Sequence, residues 1–509
     1  MNYLVGPYYT RSVDSEYIYF ISGLSLAQGN FFIGHIDNPA TPLQYLVAIV
    51  FKVVYLLRNP ALPIAQDAIT NSELYLKIAN LSYIIVVASF LFTIGLSVLK
   101  RLENLPLSIL IQTTPFISEL TIDNLPRFAP ETFLLVPILI MTVLILCNKE
   151  SQFDNREKRL ANLFGIIMGF GLSIKLTLLP LGLLPLFYLK KHKKRYALIS
   201  FLSFFIFAFP VTLQLDKFYF WIRKLILHSG QHGNGDHFFI NPETFFTNIH
   251  RLFEANTFFF YIIILFTISF GISILKRNNN LLKINASIFT IILLTLFMVG
   301  RQFEYRYFIL ALYLFPLIIF MTFENLLLFF PFRYQKQTKN ILILITAVFI
   351  TFNQLSKISI KTKQIEPIVV ANRETQQFIQ SLPKKQMRII ASNYSGNTYK
   401  AYAMMFTGAY AGSSPNKQYK PLLKKMYPNT YLYHVWDHSF HQWGEELQIN
   451  EETPDFIVYL PDIKLKDQFF IDLQPHIQNG VQLNDEVLFR NDKNGNAIIH
   501  VSIDQNKNS

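Results

Sequence analysis

The stretch "ANLFGIIMGFGLSIKLTLLPLGLLPLFYL", residues 161–189, decides how this chain is threaded. It has one charge, Lys175, at its midpoint, and basic clusters at both ends: Arg156 to Arg159 before it and "KKHKKR" (190–195) after it. Basic clusters between apolar runs mark the cytoplasmic side of a bilayer. With both ends cytoplasmic, the run must enter and leave on the same side. A crossing needs about 20 apolar residues to span roughly 30 Å of hydrocarbon, and each half of this run reaches only about 21 Å at 1.5 Å per residue. Gly165, Gly169 and Gly171 allow close helix packing, while Pro180 and Pro185 break the second half. The reading is a short hairpin reaching the outer leaflet, with Lys175 at its apex. The alternative, one tilted helix with Lys175 paired in the bundle, would invert every later loop against its charge.

Working outward, the other apolar runs are 76–99, 105–122, 131–147, 196–213, 256–275, 284–300, 307–324 and 339–355. Counting the hairpin as two gives ten crossings and places both chain ends outside. The expected fold class is a polytopic α-helical membrane bundle with a C-terminal soluble α/β or α+β domain. Residues 1–75 form an exoplasmic first loop, 76–355 the bundle and 356–509 the soluble domain. The longer polar segments 118–130, 214–255 and 300–306 share the outer compartment, so chemistry is expected on the exoplasmic face. No signal peptide or span precedes residue 75 to carry the start outward, so either a further helix lies upstream, which is the expectation, or the bundle inserts unaided.

Composition agrees. The chain is 51% hydrophobic and 16% charged, whereas soluble domains carry about 25% charged residues. The net charge of +13 is spread over short inter-span clusters and makes no continuous basic face, which argues against nucleic acid. Cys147 is the sole cysteine, so no intrachain disulfide forms. Richness in Phe, Ile, Lys and Asn suggests an AT-rich, bacterial genome.

The first loop opens "DSEYIYFISGLSLAQGNFFIGHIDNPATPLQYL" (14–46). An acidic start and a Gly stop frame a short amphipathic helix on the interface, and the Asn-Pro and Thr-Pro steps turn the chain into a second interfacial helix. Asp14 and Glu16 are candidate functional carboxylates, with a plain helix cap as the alternative for Asp14.

This segment resembles the first exoplasmic loop of GT-C-fold glycosyltransferases, the superfamily of protein O-mannosyltransferases, aminoarabinose transferases and their bacterial relatives. The resemblance continues through "RFAPETFLL" (127–135), "GFGLSIKLTLLPL" (169–181), "HSGQHGNG" (228–235) and "RQFEYRYFILALYL" (301–314). Together these cover most of residues 10–325; "DNPATP" stands where the family has a cleaner His-Pro element. The resemblance implies sugar transfer from a polyprenyl-phosphate carrier to a glycan, lipid or protein acceptor, in a bacterial inner membrane, with the site on the outer face. Such chemistry needs a general base and cations that stabilise the departing phosphate. Asp14 is the expected base, with Glu16 the fallback. Lys175, Arg301 and Arg306 are the candidate phosphate clamp, and His35, Asp37, Glu131, His228 and His232 candidate substrate contacts. The fold accommodates members with and without a divalent metal, and no residue here is assigned as a ligand.

Blander readings accompany these. Arg301, Glu304 and Arg306 can form an ion-paired turn, and Glu131 with Arg127 can cap a helix. The loop "HSGQHGNGDH" (228–237) fits no strong zinc spacing. Competing functions are a flippase of lipid-linked glycans, which would tend to show repeated halves, and a non-catalytic assembly subunit. In the tail, "MRIIASN", "DFIVYLP", "EVLFRN" and "AIIHVSI" read as strands. The aromatic segment "YLYHVWDHSFHQWGEE" (431–446) is either a glycan contact or ordinary packing.

Overall fold

The computed structural model describes residues 6–10, 16–36, 39–125, 127–148, 154–228, 240–276, 279–302, 304–329, 332–383, 386–392, 399–410, 413–435, 438–442 and 447–505. The chain divides into two compact units. One holds residues 36–46 and 80–358, the other residues 1–35, 47–79 and 359–509.

By length and composition, six helices among the described residues can cross a membrane: Thr41–Arg58, Ser72–Leu102, Pro130–Cys147, Thr257–Leu275, Leu281–Arg301 and Gln335–Ser381. A pair bent by 48°, Tyr305–Tyr313 with Phe315–Leu326, makes a seventh if taken as one span. Two expected runs take other forms, and one helix expected on the interface is long enough to span. Residues 105–122 break into Leu105–Gln112, a 3₁₀ turn Thr114–Phe116 and Glu119–Asn124. Pro115 interrupts the helix there, and a capping box at Ser118 and Thr121 starts a new one. Residues 196–213 give the 15-residue helix Lys193–Phe207 and then a short turn of helix around Pro210. Thr41–Arg58, expected to lie on the interface, is long and apolar enough to span.

The run 161–189 is a hairpin. The helix Asp154–Ile174 has 21 residues, about 31 Å at 1.5 Å per residue. Lys175 adopts an extended backbone (φ −158°), and the chain returns through a 3₁₀ segment, Leu176–Gly182, and the helix Leu183–Tyr188. Its two ends meet, because Glu157 Oε1 accepts from the amides of Lys190 and Lys191 at 2.7 Å each. A Cβ on Gly169 would lie 2.5 Å from Ser203 Cβ and 2.6 Å from Phe204 N and Ser200 O. Only glycine therefore lets this helix approach Lys193–Phe207 so closely. Elsewhere in the bundle, Asn285 Nδ2 donates to Ser273 Oγ (3.1 Å) and Asn325 Oδ1 (3.0 Å), a polar tie between three helices.

The other unit contains a mixed six-stranded sheet: β1 (Met387–Ser392), β2 (Thr430–His434), β3 (Ser439–His441), β4 (Phe456–Leu460), β5 (Val481–Arg490) and β6 (Ala497–Gln505), in the order β3-β2-β1-β4-β6-β5. β2, β1 and β4 are parallel, and the outer pairings are antiparallel. The continuously apolar β4, FIVYL, is buried along its whole length, as a central parallel strand must be. The four strands read from the sequence all form, and β2 runs from Thr430 into the start of the aromatic segment 431–446. The helix before the sheet, Phe332–Ser381, runs unbroken for 50 residues through the expected boundary at 355.

The helix Glu16–Ala27 departs from expectation. Every residue from Glu16 to Leu26 is buried, so it does not lie amphipathically on an interface. Its sequence EYIYFISGLSLA is apolar nearly all round, which suits a helix covered on every side. Part of the cover comes from the C-terminal region: Tyr419 donates to Gln28 Oε1 at 2.6 Å and lies 3.4 Å from Ser25 Oγ. The expected glycine stop holds. Gly29 takes φ +81°, and the Asn30 amide bonds back to Ser25 O at 3.0 Å, a Schellman closure.

Two outcomes test this packing. Gly169→Val should destabilise the bundle by about 1–3 kcal/mol or more in thermal unfolding of the detergent-purified chain. Gly271→Val, where an added Cβ meets nothing within 4 Å, should unfold near the wild-type temperature. In the sheet unit, burial raises the Asp472 carboxyl, but hydrogen bonds from Tyr433, His438 and Gln468 outweigh it and hold the group below the ordinary carboxylate range. A carboxyl lowered in the folded state stabilises above its unfolded pKa, and that contribution is lost as pH falls through the lowered value. Amide-exchange protection in β2 should therefore differ between wild type and Asp472→Asn at neutral pH, with the gap closing in acid. An equal gap at all pH values would contradict the assignment.

Candidate functional site

The site lies in the unit of residues 36–46 and 80–358, where three elements place charges that an apolar bundle would otherwise exclude. Glu131 comes from the start of the helix Pro130–Phe133, where Pro130 fits the first helical position because its missing amide is not needed. The Tyr83 hydroxyl, donating to Ala129 O at 2.8 Å, and Thr132 Oγ1, donating to Asn124 O at 3.0 Å, pin this turn. Lys175 follows the last residue of Asp154–Ile174, so the negative end of that helix favours its ammonium. Ala40, in the "DNPATP" element, closes the same helix end by donating its amide to Ile174 O at 3.0 Å. Arg306 comes from the 3₁₀ turn Tyr305–Phe308, in the kinked segment after Arg301.

These side chains converge. Lys175 Nζ donates to Glu131 Oε1, and both residues are almost wholly buried, 4% and 1% exposed. Arg306 Nη1 lies 3.9 Å from the same oxygen, and Arg306 Nε donates to Glu304 Oε1 at 2.9 Å. The Lys175 ammonium sits 5.4 Å from the centre of the Tyr307 ring, within cation–π range. Glu131 Oε2 is buried and has no hydrogen-bond partner among the described residues. Arg306 is different in kind: 27% of its side chain is exposed, so it can exchange a carboxylate for another oxyanion without leaving its place.

Of the residues singled out from the sequence, Glu131, Lys175 and Arg306 are thus brought together. The Glu131–Arg127 cap is not what engages Glu131. The ion-paired turn is present in part, as Glu304 with Arg306. Arg301 donates through Nη2 to the carbonyl oxygens of Ile226 and His228, the latter at 3.2 Å, and so closes the end of the helix Leu215–Leu227. His228 meets it through its backbone. In the other unit, Glu16 is fully buried in the first turn of its helix. His35 Nε2 lies 3.5 Å from the Tyr19 hydroxyl, with the rings edge to face. Asp14, Asp37 and His232 lie outside the described residues. Among the described residues no group of three or more His, Cys, Asp or Glu could hold a metal ion. Sequence reasoning did not single out Tyr307 or the Ala40 amide; neither residue type signals its role without the fold.

Neither a family model nor a curated protein sequence matches the chain. The structure resembles the crystal structure of ArnT from Cupriavidus metallidurans bound to undecaprenyl phosphate, with a TM-score of 0.54 and 8% identity, over 98% of this chain and 95% of that one. At that identity the likeness is one of fold: a largely helical chain with span-length apolar helices and a C-terminal sheet, the coarse architecture expected from the sequence.

Removing one partner of a buried ion pair strands the other charge, at a typical cost of about 3–5 kcal/mol. Glu131→Gln and Lys175→Met should each lower thermal stability strongly. The double variant should recover a large part of the loss, because Arg306 keeps Glu304. Additive losses in this cycle would show that the two side chains are not coupled.

Proposed function

We propose that the chain is an integral membrane glycosyltransferase of the GT-C type, which passes a sugar from a polyprenyl-phosphate-linked donor to an exoplasmic acceptor at a bacterial plasma membrane. The observation that carries this reading is Lys175 and Arg306 converging on Glu131, inside a fold resembling that of a protein crystallised with undecaprenyl phosphate.

The chemistry divides among the residues as follows. The acceptor hydroxyl attacks the anomeric carbon and gives its proton to a carboxylate, Asp14 in this proposal, with Glu16 as the fallback. The bond from that carbon to the phosphate oxygen breaks with inversion, and polyprenyl phosphate departs with the electron pair. Negative charge grows on the phosphate, where preorganised cations in a water-poor site have their greatest effect. Arg306, placed between Glu304 and Glu131, takes the phosphate oxygens in a forked geometry that lysine cannot provide. Lys175, oriented by Glu131 and the Tyr307 face, supplies fixed positive charge beside it. Glu131 acts through Lys175 and is a positioning residue. Arg301 is assigned a supporting part, holding the chain at His228, four positions before His232 in the sequence. His35, Asp37, His228 and His232 remain proposed contacts to the sugar or acceptor.

The test is transfer of label from a polyprenyl-phosphate sugar in membranes containing the full chain. Wild type should transfer. Asp14→Asn should lose about 10²–10⁴-fold while keeping wild-type thermal stability, and Arg306→Lys should lose more in kcat/KM than in folding. Retained transfer by Asp14→Asn with loss in Glu16→Gln would move the base to Glu16. Failure of wild type with every donor supplied would overturn the reading.

A further inference from the structure

A cavity of about 400 Å³ lies in the bundle unit, walled by the ends of four segments. Ile145 and Asn148 come from the end of Pro130–Cys147, Phe187 and Tyr188 from the returning arm of the hairpin, Lys283 and Ile284 from the start of Asn279–Arg301, and Phe320 and Glu324 from Phe315–Leu326. The Tyr188 hydroxyl donates to Asn148 O, which fixes two of the walls together. These segment ends adjoin the basic clusters of the sequence, 190–195 and Lys276 to Lys283, away from the hairpin apex that carries Lys175.

Its charges do not cancel. Glu324 is paired with Lys339, whose ammonium also lies 4.6 Å from the centre of the Phe320 ring. Lys283 makes no hydrogen bond or ion pair among the described residues, and it stands in the second turn of a 23-residue helix whose amino end favours negative charge. One uncompensated cation therefore faces a cavity otherwise lined mainly by Ile, Leu, Phe and Met side chains. We propose that this is a binding site for an anionic phospholipid of the surrounding leaflet, with the phosphate at Lys283 and the first acyl carbons against Ile145, Phe187 and Phe320. A free phosphate would gain nothing from that apolar wall, and a zwitterionic lipid would bring its own cation to Lys283. The volume falls within the range of small-molecule sites and suits a headgroup and chain root rather than a whole lipid. The site is independent of the Glu131 cluster and of the proposed transfer reaction.

Native mass spectrometry of the delipidated full chain tests it, with phosphatidylglycerol, phosphatidylcholine and sn-glycerol 3-phosphate as probes. Wild type should retain one phosphatidylglycerol in preference to phosphatidylcholine. Lys283→Gln should weaken that binding about fivefold, the scale of one basic residue at an anionic membrane surface. Ile284→Trp, which fills the cavity and keeps the charge, should weaken it too. Lys100→Gln, in a different basic cluster, should leave it unchanged. Equal retention of phosphatidylcholine, wild-type binding by both cavity variants, or equally tight binding of glycerol phosphate would each overturn the proposal.

Discussion

The bundle unit depends on keeping Lys175 charged and satisfied where water is scarce. An isolated buried ammonium is costly by several kcal/mol, and the local architecture answers that cost from several directions. The helix Asp154–Ile174 ends immediately before it and points its carbonyl end toward the ammonium. Glu131 accepts its hydrogen bond, the Tyr307 ring lies beside it, and the Ala40 amide satisfies the neighbouring carbonyl of Ile174. Because Glu131, Lys175 and Tyr307 come from three distant parts of the chain, this one charge ties together the segment 127–135, the hairpin and the 3₁₀ turn Tyr305–Phe308, while Ala40 closes the same helix end.

Legibility in the sequence followed from rarity. Charges inside or beside apolar runs are few, so Lys175, Glu131 and Arg306 could be picked out singly, and the flanking basic clusters were enough to read residues 161–189 as a hairpin. Their pairing was not legible, because it depends on the register of three separate elements. The interruption of 105–122 was written in Pro115 and in the Ser118–Thr121 capping box, but an overall count of apolar residues hides both. Four strands could be read from runs of β-branched and apolar residues. β2 was concealed in an aromatic-rich segment whose residues serve packing, as Tyr433 does against Phe440 with ring centres 4.7 Å apart.

The helix Glu16–Ala27 shows a different limit. Local pattern gave its Gly29 stop correctly, since a left-handed closure is a property of the nearby chain alone. Its surroundings were not local. The residues that cover it include Tyr419, nearly 400 positions later, and the polar contacts of Tyr419 to Ser25 and Gln28 exist only because the C-terminal region folds in the same unit. Hydrophobicity all round a short helix was the available sign of burial. An acidic first residue and a glycine end made the same stretch look like an interfacial helix.

The contrast between Lys175 and Arg306 carries the functional argument furthest. Both meet Glu131, but one is 4% exposed and the other 27%. A fully buried ammonium cannot readily trade partners, since leaving Glu131 would strand two charges at once. A partly exposed guanidinium holding two carboxylates, one of them only at 3.9 Å, can turn toward a third oxyanion at modest cost. In the proposed reaction the donor phosphodiester is already an anion on arrival and polyprenyl phosphate departs more highly charged, which calls for both behaviours: one cation held in place so that the field is preorganised, and one able to follow the charge. Glu304 beside it keeps Arg306 paired in the structure as it stands, so the proposed clamp would hold no uncompensated guanidinium before a phosphate arrives.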